Sequence, residues 1–155
     1  MITALDVANT FLVRAKKENI DISPMKLQKL VFLLYKEYLK NTEKKLFEDK
    51  FEVWMYGPVV SNIYQAFKKY GSNKITNYYI NSNNQYLTVK FGLNEAFDNC
   101  FEKVWQKYKE LDGVFLSQLT HQKDTAWSIA DSLNREFLSD QDIYNEKEYE
   151  FGRSN

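Results

Sequence analysis

The segment Phe51-Glu-Val-Trp-Met-Tyr-Gly-Pro-Val-Val60 constrains this chain more than any other, because it sets two large aromatics directly before a Gly-Pro break and an amphipathic helix. Gly57 can take the dihedrals of a sharp reversal, and Pro58 fixes its own φ near the value of a first helical residue. Val60, Ile63, Tyr64 and Phe67 then recur at i, i+3, i+4 and i+7, which predicts a helix beginning almost at once and ending at Gly71. Trp54 and Tyr56 alternate across Met55, so in an extended segment they face the same side.

The flanking sequence reads mostly as helix. Ala4, Ala8, Phe11, Leu12 and Ala15 share one face of a first helix from about Thr3 to Lys17. Ser23 is the N-cap and Pro24 the first residue of a second, in which Leu27, Leu30, Val31, Leu34 and Tyr38 form a stripe that Phe32, Leu33 and Tyr35 widen nearly all round. A helix apolar on so much of its circumference is packed on several sides. Residues 41–50 are polar and carry Leu46 and Phe47 into the core. After Gly71 the segments Ile75–Ile80 and Tyr86–Phe91, rich in β-branched and aromatic residues and separated by an Asn-rich stretch, predict a β-hairpin. Asn94 caps a strongly amphipathic helix carrying Phe97, Phe101, Val104, Trp105, Tyr108 and Leu111. Shorter helices are expected over Val114–Thr120, from Asp124 or Thr125 ahead of Trp127, and near Asp140. The expected fold class is α+β, mainly α-helical: a compact multi-helix domain with one small inserted β-hairpin. Residues 1–155 read as a single domain with a charged C-terminal tail.

Composition excludes more than it selects. The 21 Lys and Arg balance 21 Asp and Glu, so no global field draws the chain to nucleic acid or an anionic membrane. Lys68-Lys69-Tyr70 and Tyr78, Tyr79 and Tyr86 interleave charge with stacking surfaces, but Arg is rare, and nucleic acid is not the expected partner. The N-terminus lacks a basic start and a long apolar run, and Lys29 and Lys36 close the Leu30–Tyr35 run far short of a membrane span. The single cysteine, Cys100, gives neither a bridge nor a metal-binding spacing, which favours a reducing, cytoplasmic setting. Lys outnumbers Arg and Asn is abundant, as in A+T-rich coding of a low-GC bacterium or its phage.

Catalytic chemistry is thinly supplied. The chain has one histidine, His121, no serine in a G-x-S-x-G elbow and no Gly-rich phosphate cradle. Cys100 reads as a small buried hydrophobe, and His121, following a short helix, as a turn-stabilising residue. One His and one Cys cannot supply a zinc site, and the acidic pairs lack a calcium-loop spacing. A hydrolase built on His121 is a distant alternative. No cofactor, metal or catalytic residue is assigned.

Three short motifs remain: Ser-Pro-Met-Lys-Leu-Gln-Lys-Leu over 23–30, Trp-Met-Tyr-Gly-Pro-Val over 54–59, and Leu119-Thr-His followed by Trp127. Their order and spacing resemble the Panacea domain, the family of SocA-like antitoxins and GepA-type phage-associated proteins, from about Ala4 to about Tyr144. The family often has Pro immediately before the late Trp, where this chain has Ala126. The resemblance implies a cytoplasmic antitoxin that neutralises a cognate toxin by direct contact. It also implies, as alternatives, a phage-associated adaptor in defence or counter-defence, or delivery of a partner to a protease. Pro24, Leu27, Lys29, Gly57, Pro58, Thr120, His121 and Trp127 carry the family motifs and are expected to be structural. Trp54, Tyr56, Tyr79 and Tyr86 are the candidate partner-binding residues, since aromatic side chains bury large area at low rotamer cost; core anchoring competes with contact at Trp54 and Tyr56.

Overall fold

The computed structural model describes residues 1–151. Helix α1 (Ala4–Glu18) starts in a capping box: the Thr3 hydroxyl accepts from Asp6 N, and Asp6 accepts from Thr3 N. Helix α2 (Pro24–Thr42) has Ser23 as N-cap and Pro24 in its first turn, and both helices end on a residue in the left-handed region, Asn19 and Glu43. Strands β1 (Glu52–Trp54) and β2 (Gly57–Val59) pair antiparallel, with Trp54 opposite Gly57 and Met55-Tyr56 as the turn. Then come α3 (Ser61–Phe67), a single 3-10 turn (Lys68–Tyr70), α4 (Glu95–Tyr108), α5 (Gly113–Thr120), α6 (Ala126–Ser132) and α7 (Asp140–Asn145).

The hydrophobic pattern of α2 explains its place. Leu27, Leu30, Val31, Phe32 and Leu34 are fully buried, and α1, α3, α4, α5, α7 and β2 all pack against this helix. Its far half meets the loop residues Phe47 and Phe51, whose rings lie 5.0 and 5.1 Å from that of Tyr35. The apolar face of α4 closes on α1 through Phe101 and Trp105, at 4.6 and 6.2 Å from the Phe11 ring. Cys100 is buried, and its thiol is pushed up to about 11 by desolvation. Residues 146–151 run back across the helices. The Glu146 carboxylate, buried, accepts from Lys36 Nζ at 2.8 Å, Tyr149 OH at 2.6 Å and Ala126 N at 2.8 Å. Ala126 therefore uses an N–H that a proline in its place would lack.

The mainly helical α+β class holds, but the hairpin sits elsewhere than the strand propensity indicates. Ile75–Ile80 and Tyr86–Phe91 double back at Asn81–Gln85 without pairing with each other. Polar side chains of α1 replace the ladder. Asn9 Nδ2 donates to Tyr79 O at 3.0 Å and Leu87 O at 3.2 Å, Tyr79 N donates to Asn9 Oδ1 at 2.8 Å, and Val89 N donates to Thr10 Oγ1 at 2.8 Å. The true hairpin lies at the Trp-Met-Tyr-Gly turn, where Pro58 is a strand residue and not the first residue of a helix. Helix α3 starts only at Ser61, because Pro58 and Val59 are held in register opposite Val53 and Glu52.

Candidate protein-binding surface at the hairpin turn

Gly57 makes the turn possible in two ways. Its φ of +115° lies outside the range open to side-chain-bearing residues. A Cβ built there would come within 2.7 Å of both Lys29 Cε and Thr120 Oγ1, so α2 and α5 approach the backbone as closely as a glycine permits.

From that contact outward, donors of three helices take up the carbonyls of the turn. Trp127 Nε1 of α6 donates to Trp54 O at 2.8 Å, Ser117 Oγ of α5 to Tyr56 O at 2.6 Å, and Lys29 Nζ of α2 to Pro58 O at 3.1 Å. His121, just past α5, sets Nε2 2.7 Å from Met55 O and Nδ1 2.5 Å from Ser117 O. Gln28 grips the exit from β2 twice, donating from Nε2 to Val60 O and accepting from Val60 N, both at 3.0 Å. Thr120 Oγ1 donates to Ser117 O, and Thr125 Oγ1 to Thr120 O, which fixes the α5–α6 corner that carries these donors. The imidazole of His121 lies 4.0 Å from the Trp127 ring.

Two of these groups are unusual. Lys29 is 1% exposed, has no carboxylate partner among the described residues, and is pushed down to about 7 by burial. His121 has a carbonyl oxygen at each ring nitrogen, so its ring bridges Met55 O of the turn and Ser117 O of α5. Neither nitrogen faces a nucleophile: the Ser117 hydroxyl is spent on Tyr56 O, and its contact with the ring is through the Ser117 carbonyl. No group of His, Cys, Asp and Glu is placed to hold a metal ion among the described residues.

What this framework leaves free is the tip. Met55 is 76% and Tyr56 59% exposed. Trp54, half-buried, packs at a tilt of 58° against the 40% exposed Tyr64 of α3, with ring centroids 4.6 Å apart. Trp54, Met55, Tyr56 and Tyr64 thus form an uncharged aromatic and thioether knob. Tyr79 and Tyr86 belong to the other excursion, where Tyr79 is half-buried against α1 and Tyr86 is exposed with its ring 4.6 Å from that of Tyr78. Pro24 and Leu27 lie in α2, at its start and in the core.

Sequence reasoning missed Met55, Gln28 and Ser117. Gln28 and Lys29 did carry a signal: two polar residues on a helix apolar all round must find buried partners. Ser117 and His121 stand four apart, one helical turn, and so lie on one face.

The family model of the antitoxin SocA-like Panacea domain matches residues 27–128, a span that holds Gln28, Lys29, the hairpin, α5 and Trp127. The match covers more than half of the chain, and the chain belongs to that family. It is 34% identical over 76 residues to antitoxin SocA of Caulobacter vibrioides, a stretch covering 49% of this chain and 40% of that protein. Less than half of the relative's length is therefore spanned. No solved structure matches the chain.

Proposed function

We propose that this protein is the antitoxin of a bacterial or prophage toxin–antitoxin pair, acting in the cytoplasm and neutralising its cognate toxin by direct contact rather than by catalysis. Residues 1–155 act as one unit in this role. The observation that carries the reading is the division of labour at the hairpin. Side chains from α2, α5 and α6 hold its main chain, while Met55 and Tyr56 stand in solvent with Trp54 and Tyr64 beside them. A rigid, apolar tip is suited to fill a concave site on a partner, because little is left to order on binding. His121, enclosed between two carbonyls and the Trp127 ring, supports binding and not general-base chemistry.

The test is co-expression with the product of the adjacent gene. Rescue of growth and co-purification are expected, with binding only weakly dependent on salt because the tip residues Met55 and Tyr56 carry no charge and Glu52, which accepts from Trp54 Nε1 at 3.1 Å, is the one carboxylate bonded to the knob among the described residues. Tyr56→Ala and Met55→Ala are exposed changes that leave folding within about 0.5 kcal/mol. The double variant should weaken binding by at least about 2 kcal/mol, roughly thirtyfold. If it binds and rescues like wild type, the tip is not the contact; if no toxic partner exists, the antitoxin assignment itself is wrong.

A further inference from the structure

Sulfur stands in this chain at Met1, Met25, Met55 and Cys100, and the fold shields these positions unequally. Cys100 is 4% exposed on the core face of α4, and desolvation pushes its thiol up to about 11, so little of the reactive thiolate forms at neutral pH. Met25, in the first turn of α2, is half-buried under the start of α5: a Cβ built at Gly113 would stand 3.1 and 3.2 Å from Met25 Cβ and Cγ. Only Met1, ahead of α1, and Met55 are exposed.

The main chain and the side chain of Met55 have opposite fates. Its carbonyl oxygen lies 2.7 Å from His121 Nε2, and the carbonyls on either side accept from Trp127 and Ser117. The pinned backbone keeps the residue from folding its sulfur back into the core. The thioether itself enters no hydrogen bond among the described residues and is the most exposed member of the knob it shares with Trp54, Tyr56 and Tyr64. A change of chemistry at that sulfur therefore alters the tip while leaving intact the contacts that hold the turn.

We propose that Met55 is a modification site at which a peroxide converts the thioether to the sulfoxide and so releases the partner held at the hairpin tip. Release rests on the tip being the toxin-contact surface, whereas the oxidation does not. With hydrogen peroxide, a lone pair of Sδ attacks one oxygen, an S–O bond forms and the O–O bond breaks. The hydroxyl proton on that oxygen passes to the departing hydroxide, which leaves as water; sulfur loses two electrons and the peroxide gains them. The product replaces a flexible apolar group by a polar one. Burying its S–O dipole in an apolar site on the partner costs affinity unless a donor is present, and the neighbouring indole N–H of Trp54 is already given to Glu52 Oε1.

The test treats the full-length protein with dilute hydrogen peroxide and follows each methionine by peptide mass spectrometry. Met55 should gain one oxygen at least about tenfold faster than Met25, with Cys100 unmodified and the melting temperature unaltered. Binding to the product of the adjacent gene should then weaken by about tenfold or more and return on treatment with methionine sulfoxide reductase. Met25→Leu should respond to peroxide as wild type does, whereas Met55→Leu should bind equally before and after treatment. Equal oxidation of Met25 and Met55, or a fall in melting temperature with the first oxygen at Met55, overturns the modification site. Unchanged binding after complete oxidation of Met55 refutes release and leaves the antitoxin reading standing, as does an undiminished peroxide response in Met55→Leu. If no toxic partner exists, the antitoxin reading fails and release fails with it, while the relative masses at Met25 and Met55 still decide the site.

Discussion

The buried amine of Lys29 makes a quantitative prediction about stability and pH. Among the described residues its Nζ has a single acceptor, Pro58 O at 3.1 Å, and the side chain is 1% exposed, so burial of the charge dominates and pushes its pKa from 10.5 down to about 7. A lysine depressed in the folded state holds its proton more readily in the unfolded chain. Between about pH 7 and 10.5, unfolding therefore takes up a proton, and stability rises with pH across that window. Below about pH 7 both states are protonated and the effect is flat. The full span is worth about 5 kcal/mol, of which about 2 kcal/mol falls between roughly pH 7 and pH 9. Cys100, pushed up, opposes the rise only as pH passes the ordinary thiol value of about 9, and Tyr35 and Tyr149, also pushed up, only near about pH 10. Lys26 and Lys36 are depressed by burial and act in the same direction, so the clean measurement is a difference. Urea unfolding of wild type and Lys29→Met at several pH values gives it. Met refills the aliphatic path but leaves Pro58 O unpaired, a constant offset of about 1–3 kcal/mol. On top of that offset, wild type should gain about 2 kcal/mol on the variant from roughly pH 7 to pH 9. Parallel curves would show that the amine is not a buried, depressed base.

Gly57→Ala should cost at least about 2 kcal/mol, since the new Cβ meets Lys29 Cε and Thr120 Oγ1 at 2.7 Å in a backbone of φ +115°; an unchanged melting temperature would contradict the turn geometry. Ala126→Pro removes the N–H that donates to buried Glu146 and should destabilise by about 1–3 kcal/mol in denaturant titration, more than Ala126→Ser, which keeps it. His121→Ala should lower stability by about 0.5–1.5 kcal/mol, the net worth of a hydrogen bond whose acceptor, Met55 O, is left to water, and neutralisation should fall only as far as the folded fraction does. Wild-type stability with complete loss of biological effect would instead mark His121 as a functional group.

Helices were legible in this chain because their signals are local. Ser23-Pro24 and Asn94 announce helix starts through caps that the structure contains, and the apolar faces of α2 and α4 follow from spacing alone. The strands were misplaced because β propensity records fitness for a pleated surface and not the presence of a partner. Tyr86–Phe91 has that fitness, but Asn9 and Thr10, distant in sequence, capture the backbone groups that would have paired it with Ile75–Ile80. Glu52–Val59 is short and contains a proline, yet it pairs because Lys29 and Ser117 hold its carbonyls at Pro58 and Tyr56 and Gln28 holds the next residue, Val60. Of the candidate site, Trp54 and Tyr56 were readable as aromatics flanking a turn. Which of their neighbours would be exposed depended on α5 and α6 packing beneath, a non-local fact.

The contacts that hold the hairpin share one property with a consequence for function: Trp127, His121, Ser117 and Lys29 reach main-chain carbonyls and not the side chains of the turn. The fold therefore constrains residue 57, which must be glycine, and the backbone path from 54 to 60, but places little demand on what stands at 55 and 56. A scaffold of this kind can change the chemistry of its tip without disturbing the core, since exposed substitutions cost little stability while contact residues at an interface centre dominate affinity. Exchanging Met55 and Tyr56 for two other residues without β-branching should accordingly leave the melting temperature unaltered and redirect partner choice. A large loss of stability from such an exchange would mean that the tip side chains, and not the carbonyl contacts, keep the turn in place.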